Sequence, residues 1–170
     1  MFHTNRIERR VKPISKKQMS QVFRKDKIII IDFGSQVTKL IARRIREYKV
    51  YSEILTTKDL KKKNIFENVK GVILSGGPST VIGNKHPVIL KRVFNSGVPI
   101  LGICYGLQLI AKYFKGKVKS NIKKREFGRA VLSKTKESLL TKGFFNKNKC
   151  NVWMSHQDTV YKLPKEFTKI

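Results

Sequence analysis

The segment best suited to chemistry places a cysteine between two glycines, in Gly102-Ile-Cys-Tyr-Gly106. An apolar run precedes it, and the pattern from Leu107 to Phe114 predicts an amphipathic helix after it. A nucleophile on a sharp strand-to-helix turn needs small neighbours, because the backbone there is crowded. The N–H groups that begin the helix would also favour the reactive thiolate of Cys104. The same residues fit a buried structural cysteine beside two turn glycines, so the pentapeptide alone leaves both interpretations open.

A second glycine-rich turn, Ser75-Gly-Gly-Pro-Ser79, follows the apolar run Gly71–Leu74. Such a turn leaves backbone N–H groups available to a ligand or to a developing oxyanion. Strands and helices alternate here, and ligands bind outside the carboxyl ends of parallel strands. Because both glycine turns follow predicted strands, we expect them to meet at one sheet edge. This convergence favours Cys104 as a nucleophile.

The pattern of apolar residues predicts an α/β fold with a mostly parallel sheet flanked by helices. The β-branched run Lys27–Asp32 is typical of a strand buried on both faces. Further strands are predicted at Val50–Leu55, Gly71–Leu74 and Val98–Leu101. A helix capped by Ser35 is predicted to bury Val37, Leu40, Ile41, Ile45 and Tyr48, and a second helix is predicted at Pro87–Phe94.

After the cysteine helix, the sequence predicts a small antiparallel extension. Its strands are predicted at Gly116–Ser120, Gly128–Ser133 and Asn151–Met154, with a turn at Ser155–Asp158 and a further strand at Lys165–Ile170. The sequence contains no internal repeat, and no linker divides it. We therefore expect one folded domain over residues 27–170.

The net charge of +27 is extreme, but its distribution does not favour a nucleic-acid partner. Residues 1–26 are basic and broken by Pro13, and we expect a disordered extension there. Elsewhere the positive charge is spread along the chain, as on solvated faces. The chain shows no membrane span, no zinc pattern and no disulfide framework, so we expect a cytoplasmic protein with no membrane partner and no metal site.

Five segments, in this order and at these spacings, resemble the class I glutamine amidotransferases, and most closely the amidotransferase domains of GMP synthases. They are Asp32-Phe-Gly-Ser-Gln36 with Leu40-Ile-Ala-Arg-Arg44, Ile73-Leu-Ser-Gly-Gly-Pro78, Gly102-Ile-Cys-Tyr-Gly-Leu-Gln108, Arg125-Glu-Phe-Gly128 and Val152-Trp-Met-Ser-His156. The resemblance covers roughly residues 27–170 and implies an amidotransferase domain there.

The resemblance implies hydrolysis of the side-chain amide of glutamine, which supplies ammonia to a synthetase domain. It implies that Cys104 forms a glutamyl thioester and that the N–H groups of Gly77 and Tyr105 bind the oxyanion. Gln108, Ser155 and His156 would hold the substrate. No cofactor is expected in this domain, because the resemblance assigns ATP and Mg²⁺ to the ATP-pyrophosphatase synthetase part, which converts XMP to GMP. A homodimer of the complete enzyme is left open.

His156 is a tempting general base, but the resemblance implies a base in a later His-Pro-Glu segment. No His-Pro-Glu occurs in these 170 residues. We therefore expect a domain truncated before that segment, weakly active or inactive alone, with an unpaired sheet edge. His3 and His86 are not expected to take part. Two alternatives remain: an amidotransferase of another synthetase, or a non-catalytic interaction module with the same fold.

Overall fold

The computed structural model describes residues 26–83, 91–120 and 126–170. Its strands are β1 Lys27–Asp32, β2 Tyr51–Thr56, β3 Val69–Leu74, β4 Ile100–Gly102, β5 Lys117–Ser120, β6 Glu126–Ser133, β7 Lys149–His156 and β8 Asp158–Lys162. Its α-helices are α1 Thr38–Glu47, α2 Lys91–Phe94 and α3 Tyr105–Tyr113. Two short 3₁₀ helices lie at Asp59–Lys61 and Leu139–Thr141.

Four strands form a parallel sheet in the order β2-β1-β3-β4. β1 lies inside the sheet, and three consecutive isoleucines, Ile29, Ile30 and Ile31, are fully buried. Successive side chains of a strand point to opposite faces, so burial of all three requires cover on both faces. The predicted α/β class and the central place of this β-branched run are confirmed.

The small antiparallel extension is confirmed as two separate strand pairs, β5 with β8 and β6 with β7. Two predictions about its last strands were wrong. Ser155 and His156 continue β7 instead of forming a turn, and only Gln157 separates β7 from β8. Lys165–Ile170 contains no strand, because the chain makes its final strand earlier, at Asp158–Lys162.

The first helix differs from its prediction at its start and on its buried face. It begins at Thr38 after Val37, and the Ser35 hydroxyl accepts the Val37 N–H at 3.2 Å without capping the helix. The buried residues are Thr38 and Ala42, whereas Leu40 is half exposed. Tyr48 is 84% exposed, although the apolar spacing placed it on the buried face.

Several predictions lie outside the described residues. These are the extension at residues 1–25, both His3 and His86, the first part of the helix at Pro87–Phe94, and Arg125. Lys91–Phe94 is helical as predicted. Among the described helices, none is long and apolar enough to cross a membrane.

Candidate active site

Cys104 occupies the turn between β4 and α3 in a strained backbone conformation. Its φ is 51° and its ψ is −110°, which is costly for any residue with a side chain. The Ile103 N–H donates to the Leu74 carbonyl at 2.9 Å, and the Gly106 N–H donates to the Ser75 carbonyl at 3.1 Å. Hydrogen bonds on both sides of Cys104 therefore hold the turn, as expected of a nucleophile at a strand-to-helix junction.

The glycines beside Cys104 are required by close backbone contacts. A β-carbon on Gly106 would lie 2.2 Å from the Leu74 carbonyl oxygen, and one on Gly102 would lie 2.6 Å from the Leu107 nitrogen. Neither contact can be relieved by a side-chain rotation, because both neighbours are backbone atoms. The two glycines let α3 pack directly on the ends of β3 and β4.

The Gly76-Gly77 turn lies beside Cys104, as the alternation of strands and helices predicts. A β-carbon on Gly76 would lie 3.5 Å from the Cys104 Cβ. Ser75, which is fully buried, accepts the Phe33 N–H at 3.1 Å and donates its hydroxyl proton to the Gly76 carbonyl at 2.8 Å. One hydroxyl therefore links the end of β1 to the glycine turn.

The two N–H groups predicted to bind the oxyanion belong to Gly77 and Tyr105, which line the same cavity as Cys104. The Gly77 N–H donates to no acceptor among the described residues, which suits a group that serves a ligand. Tyr105 begins α3, and its ring packs edge-on against Phe33 at 5.1 Å between centroids. Burial raises the pKa of Tyr105 to about 12, so its side chain is a neutral part of the core.

A cavity of about 270 Å³ opens beside Cys104. It is lined by all six residues predicted for the site, which are Gly77, Cys104, Tyr105, Gln108, Ser155 and His156. The structure thus brings together segments that lie far apart in the chain, while the individual roles stay predictions. A cavity of this size can hold a small amino acid.

Gln108, predicted to bind substrate, makes a hydrogen bond within the protein. Its side chain is buried, and its Nε2 donates to the Asp158 carbonyl at 3.1 Å. Ser155 is exposed and His156 is half buried on β7, where they pair with Phe127 and Glu126 of β6. The β6–β7 pair therefore forms part of the cavity wall.

Sequence reasoning assigned no role to Asp158, although it lines the cavity. It is only 8% exposed, and it is the one carboxylate in the lining. Its carboxylate accepts a hydrogen bond from the Thr80 hydroxyl, and it takes part in none of the ion pairs of the described residues. An acidic residue two positions after His156, in a chain with only 11 Asp and Glu, is the signal that could have identified it.

The class I glutamine amidotransferase family matches residues 29–170, which is most of the chain. The chain belongs to this family. This amidotransferase sequence is 47% identical over 146 residues to a glutamine-hydrolysing GMP synthase of Nitrobacter hamburgensis, covering 85% of the chain and 27% of that protein. The GMP synthase of Vibrio atlanticus is 46% identical over 153 residues, covering 89% of the chain and 29% of that protein. The chain spans about a quarter of the length of these curated relatives.

Solved structures agree with the family assignment. The amidotransferase fold superposes with a TM-score of 0.69 on a protein described as a GMP synthase subunit of Thermoplasma acidophilum, at 30% identity, covering 84% of the chain and 70% of that protein. A glutamine amidotransferase of Thermotoga maritima gives a TM-score of 0.66 at 22% identity, covering 84% of the chain and 64% of that protein. The second similarity concerns the fold alone.

Proposed function

We propose that this amidotransferase chain is the glutamine-hydrolysing part of a GMP synthase, producing ammonia for the conversion of XMP to GMP. The observation that carries the proposal is Cys104, held with a φ of 51° at the start of α3 beside the glycine turn. The similarity to GMP synthases over 85% of the chain supports the choice of synthetase.

In the proposed reaction, the Cys104 sulfur attacks the carboxamide carbon of glutamine, and the carbonyl oxygen becomes an oxyanion. The N–H groups of Gly77 and Tyr105 donate to that oxygen, an interaction whose loss typically costs about 10²–10³ in rate. The C–N bond then breaks and the nitrogen leaves as ammonia after gaining a proton. Water hydrolyses the resulting thioester to glutamate and restores the thiol.

Recognition of the amino-acid end is assigned to the residues that line the cavity around Asp158. Asp158 supplies the one carboxylate in the lining, which suits the α-ammonium group of glutamine. Gln108, Ser155 and His156 lie around the same space and are proposed to contact the rest of the substrate. The proposal thus assigns the amide end of glutamine to the two glycine turns and its amino end to Asp158.

The proton acceptor for Cys104 is proposed to lie in a His-Pro-Glu segment, which these 170 residues do not contain. His156 lines the cavity but is assigned to the substrate pocket, by resemblance to the family. We therefore expect the isolated chain to release ammonia slowly or not at all, since a thiol without a positioned base is weakly activated. Cys104-dependent turnover at about 10 s⁻¹, an ordinary enzymatic rate, would contradict this expectation.

The proposed partner is an ATP-pyrophosphatase synthetase domain, to which ATP and Mg²⁺ would bind. We propose no cofactor or metal for the amidotransferase part and no nucleic-acid partner, and a homodimer of the complete enzyme fits the proposal. Both described cysteines are free thiols, which supports a reducing, cytoplasmic location.

The test is covalent labelling of the 170-residue chain by the chloromethyl ketone analogue of glutamine, followed by intact-mass measurement. The Cys104 sulfur should displace chloride from the analogue with saturation kinetics, and added L-glutamine should protect it. Cys150→Ser is the matched control, because Cys150 is the other half-buried cysteine, and it should leave labelling unchanged. Labelling that persists in Cys104→Ser, or that L-glutamine does not slow, would refute the proposed function.

A further inference from the structure

A hydrogen bond joins the loop after the glycine turn to Asp158 in the lining of the cavity. The Thr80 hydroxyl donates to the Asp158 carboxylate, and the two residues are 78 positions apart. The Ile82 N–H donates to the same Thr80 oxygen at 3.1 Å. The Thr80 hydroxyl therefore accepts one hydrogen bond, from Ile82, and donates another, to Asp158. Both Thr80 and Asp158 line the cavity beside Cys104.

Asp158 is held at its backbone as well as at its carboxylate. Gln108, on α3, donates to the Asp158 carbonyl at 3.1 Å. The loop that carries Thr80 is anchored in turn, since Val81 is 1% exposed and its carbonyl accepts a hydrogen bond from the Lys112 side chain. The loop therefore holds the Asp158 carboxylate through Thr80, and α3 holds its backbone through Gln108.

A fixed carboxylate can distinguish ligands by the position of their positive charge. Hydrogen bonds to charged groups depend strongly on geometry, so an Asp158 side chain free to rotate would bind an ammonium group less selectively. Thr80 closely follows Gly77 in the same loop. One loop then contributes both to the proposed oxyanion site and to the orientation of the carboxylate.

We propose that Thr80 is a positioning residue, whose hydroxyl orients Asp158 toward the α-ammonium group of glutamine and so makes the site selective for α-amino acids. This inference rests on the proposed function. It assigns no contact between Thr80 and the substrate, because Thr80 acts through Asp158.

The experiment compares two chloromethyl ketones on the 170-residue chain, the glutamine analogue and its counterpart lacking the amino group. The measured quantity is the ratio of their second-order rates of Cys104 alkylation, which is insensitive to the intrinsic reactivity of the thiol. Thr80→Val removes the hydroxyl with little change of volume and should lower this ratio about tenfold, the scale of a lost hydrogen bond to a charged group. Thr80→Ser keeps the hydroxyl and should restore most of the ratio.

Thr56→Val is the matched control. The Thr56 hydroxyl also donates to a carboxylate, that of Asp59 at 2.7 Å, and neither residue lines the cavity. This variant should keep the wild-type ratio. A general loss of structure in Thr80→Val would instead slow both ketones and change the rate of alkylation by iodoacetamide.

A double-mutant cycle tests whether Thr80 acts through Asp158. Asp158→Asn should lower the ratio, and adding Thr80→Val to it should have no further effect. A wild-type ratio in Thr80→Val, an equal loss in Thr80→Ser, or additive effects in the double variant would overturn the inference. A wild-type chain that shows neither a preference for the amino group nor protection by L-glutamine would instead show that the proposed function has failed.

Discussion

Gly106→Ala adds only one methyl group, yet we expect it to disturb the site strongly. A β-carbon at Gly106 would lie 2.2 Å from the Leu74 carbonyl oxygen and 2.6 Å from the Leu74 Cβ, where ordinary contacts begin at 3.4 Å. The start of α3 must therefore move by about 1 Å, since the neighbouring atoms belong to β3 and cannot rotate away. This movement stretches the hydrogen bond from the Gly106 N–H to the Ser75 carbonyl and displaces Cys104.

The expected magnitudes follow from two opposing terms. Overpacking costs about 1–3 kcal/mol, and the better helix propensity of alanine returns about 1 kcal/mol. We expect the free energy of unfolding to fall by up to about 2 kcal/mol, which is the difference between these two terms. Labelling of Cys104 by the glutamine analogue should slow by about 10²-fold, because a 1 Å misplacement of a reacting group has that scale of effect.

Urea denaturation measures the first quantity, and the saturation kinetics of labelling measure the second. Gly143→Ala is the control, because a β-carbon at Gly143 would have no neighbour within 4 Å. Its φ of +77° predicts a loss of stability of about 1 kcal/mol with no effect on labelling. If Gly106→Ala reacts at the wild-type rate, the contact with Leu74 does not position the nucleophile and the reasoning is wrong.

Two further predictions concern buried hydroxyl groups. Ser75→Ala leaves the Phe33 N–H without its acceptor, so urea denaturation should show a loss of about 1–3 kcal/mol, and a loss below about 0.5 kcal/mol would contradict the linking role of Ser75. Burial raises the pKa of Tyr105 to about 12, so the folded chain holds the hydroxyl proton more tightly than the unfolded chain does. The protonated hydroxyl therefore contributes its full share to the free energy of unfolding below the ordinary pKa of 10, and this share is lost as the pH rises toward 12. The difference in unfolding free energy between the wild type and Tyr105→Phe should therefore decrease by about 1 kcal/mol from about pH 8 to about pH 11, and a constant difference would refute the burial effect.

The parallel sheet could be predicted because its signal is local. The run Lys27–Asp32 is β-branched at its centre, and the structure buries its isoleucines on both faces. The convergence of the two glycine turns was also predictable, since it follows from the geometry of parallel strands. The strand can be predicted from one short segment, and the convergence needs only the order of strands and helices along the chain.

What could not be predicted depends on which surfaces the fold covers. The apolar spacing of α1 is real, yet Leu40 stays half exposed because α1 meets the sheet through Thr38 and Ala42. The sequence did not indicate Asp158 as a residue of the site, for a related reason. Its hydrogen bond to Thr80 spans 78 residues, and no local pattern marks such a contact.

Ser75 gives the site a property beyond its geometry. Its backbone and hydroxyl together join the end of β1, the Gly76-Gly77 turn and the first turn of α3. Local unfolding occurs in contiguous cooperative units, and we expect these three segments to belong to one such unit because they share a buried residue. We therefore expect Cys104 and the Gly76-Gly77 turn to be displaced together when this part of the chain opens, so that a local fluctuation would remove both from the site at once.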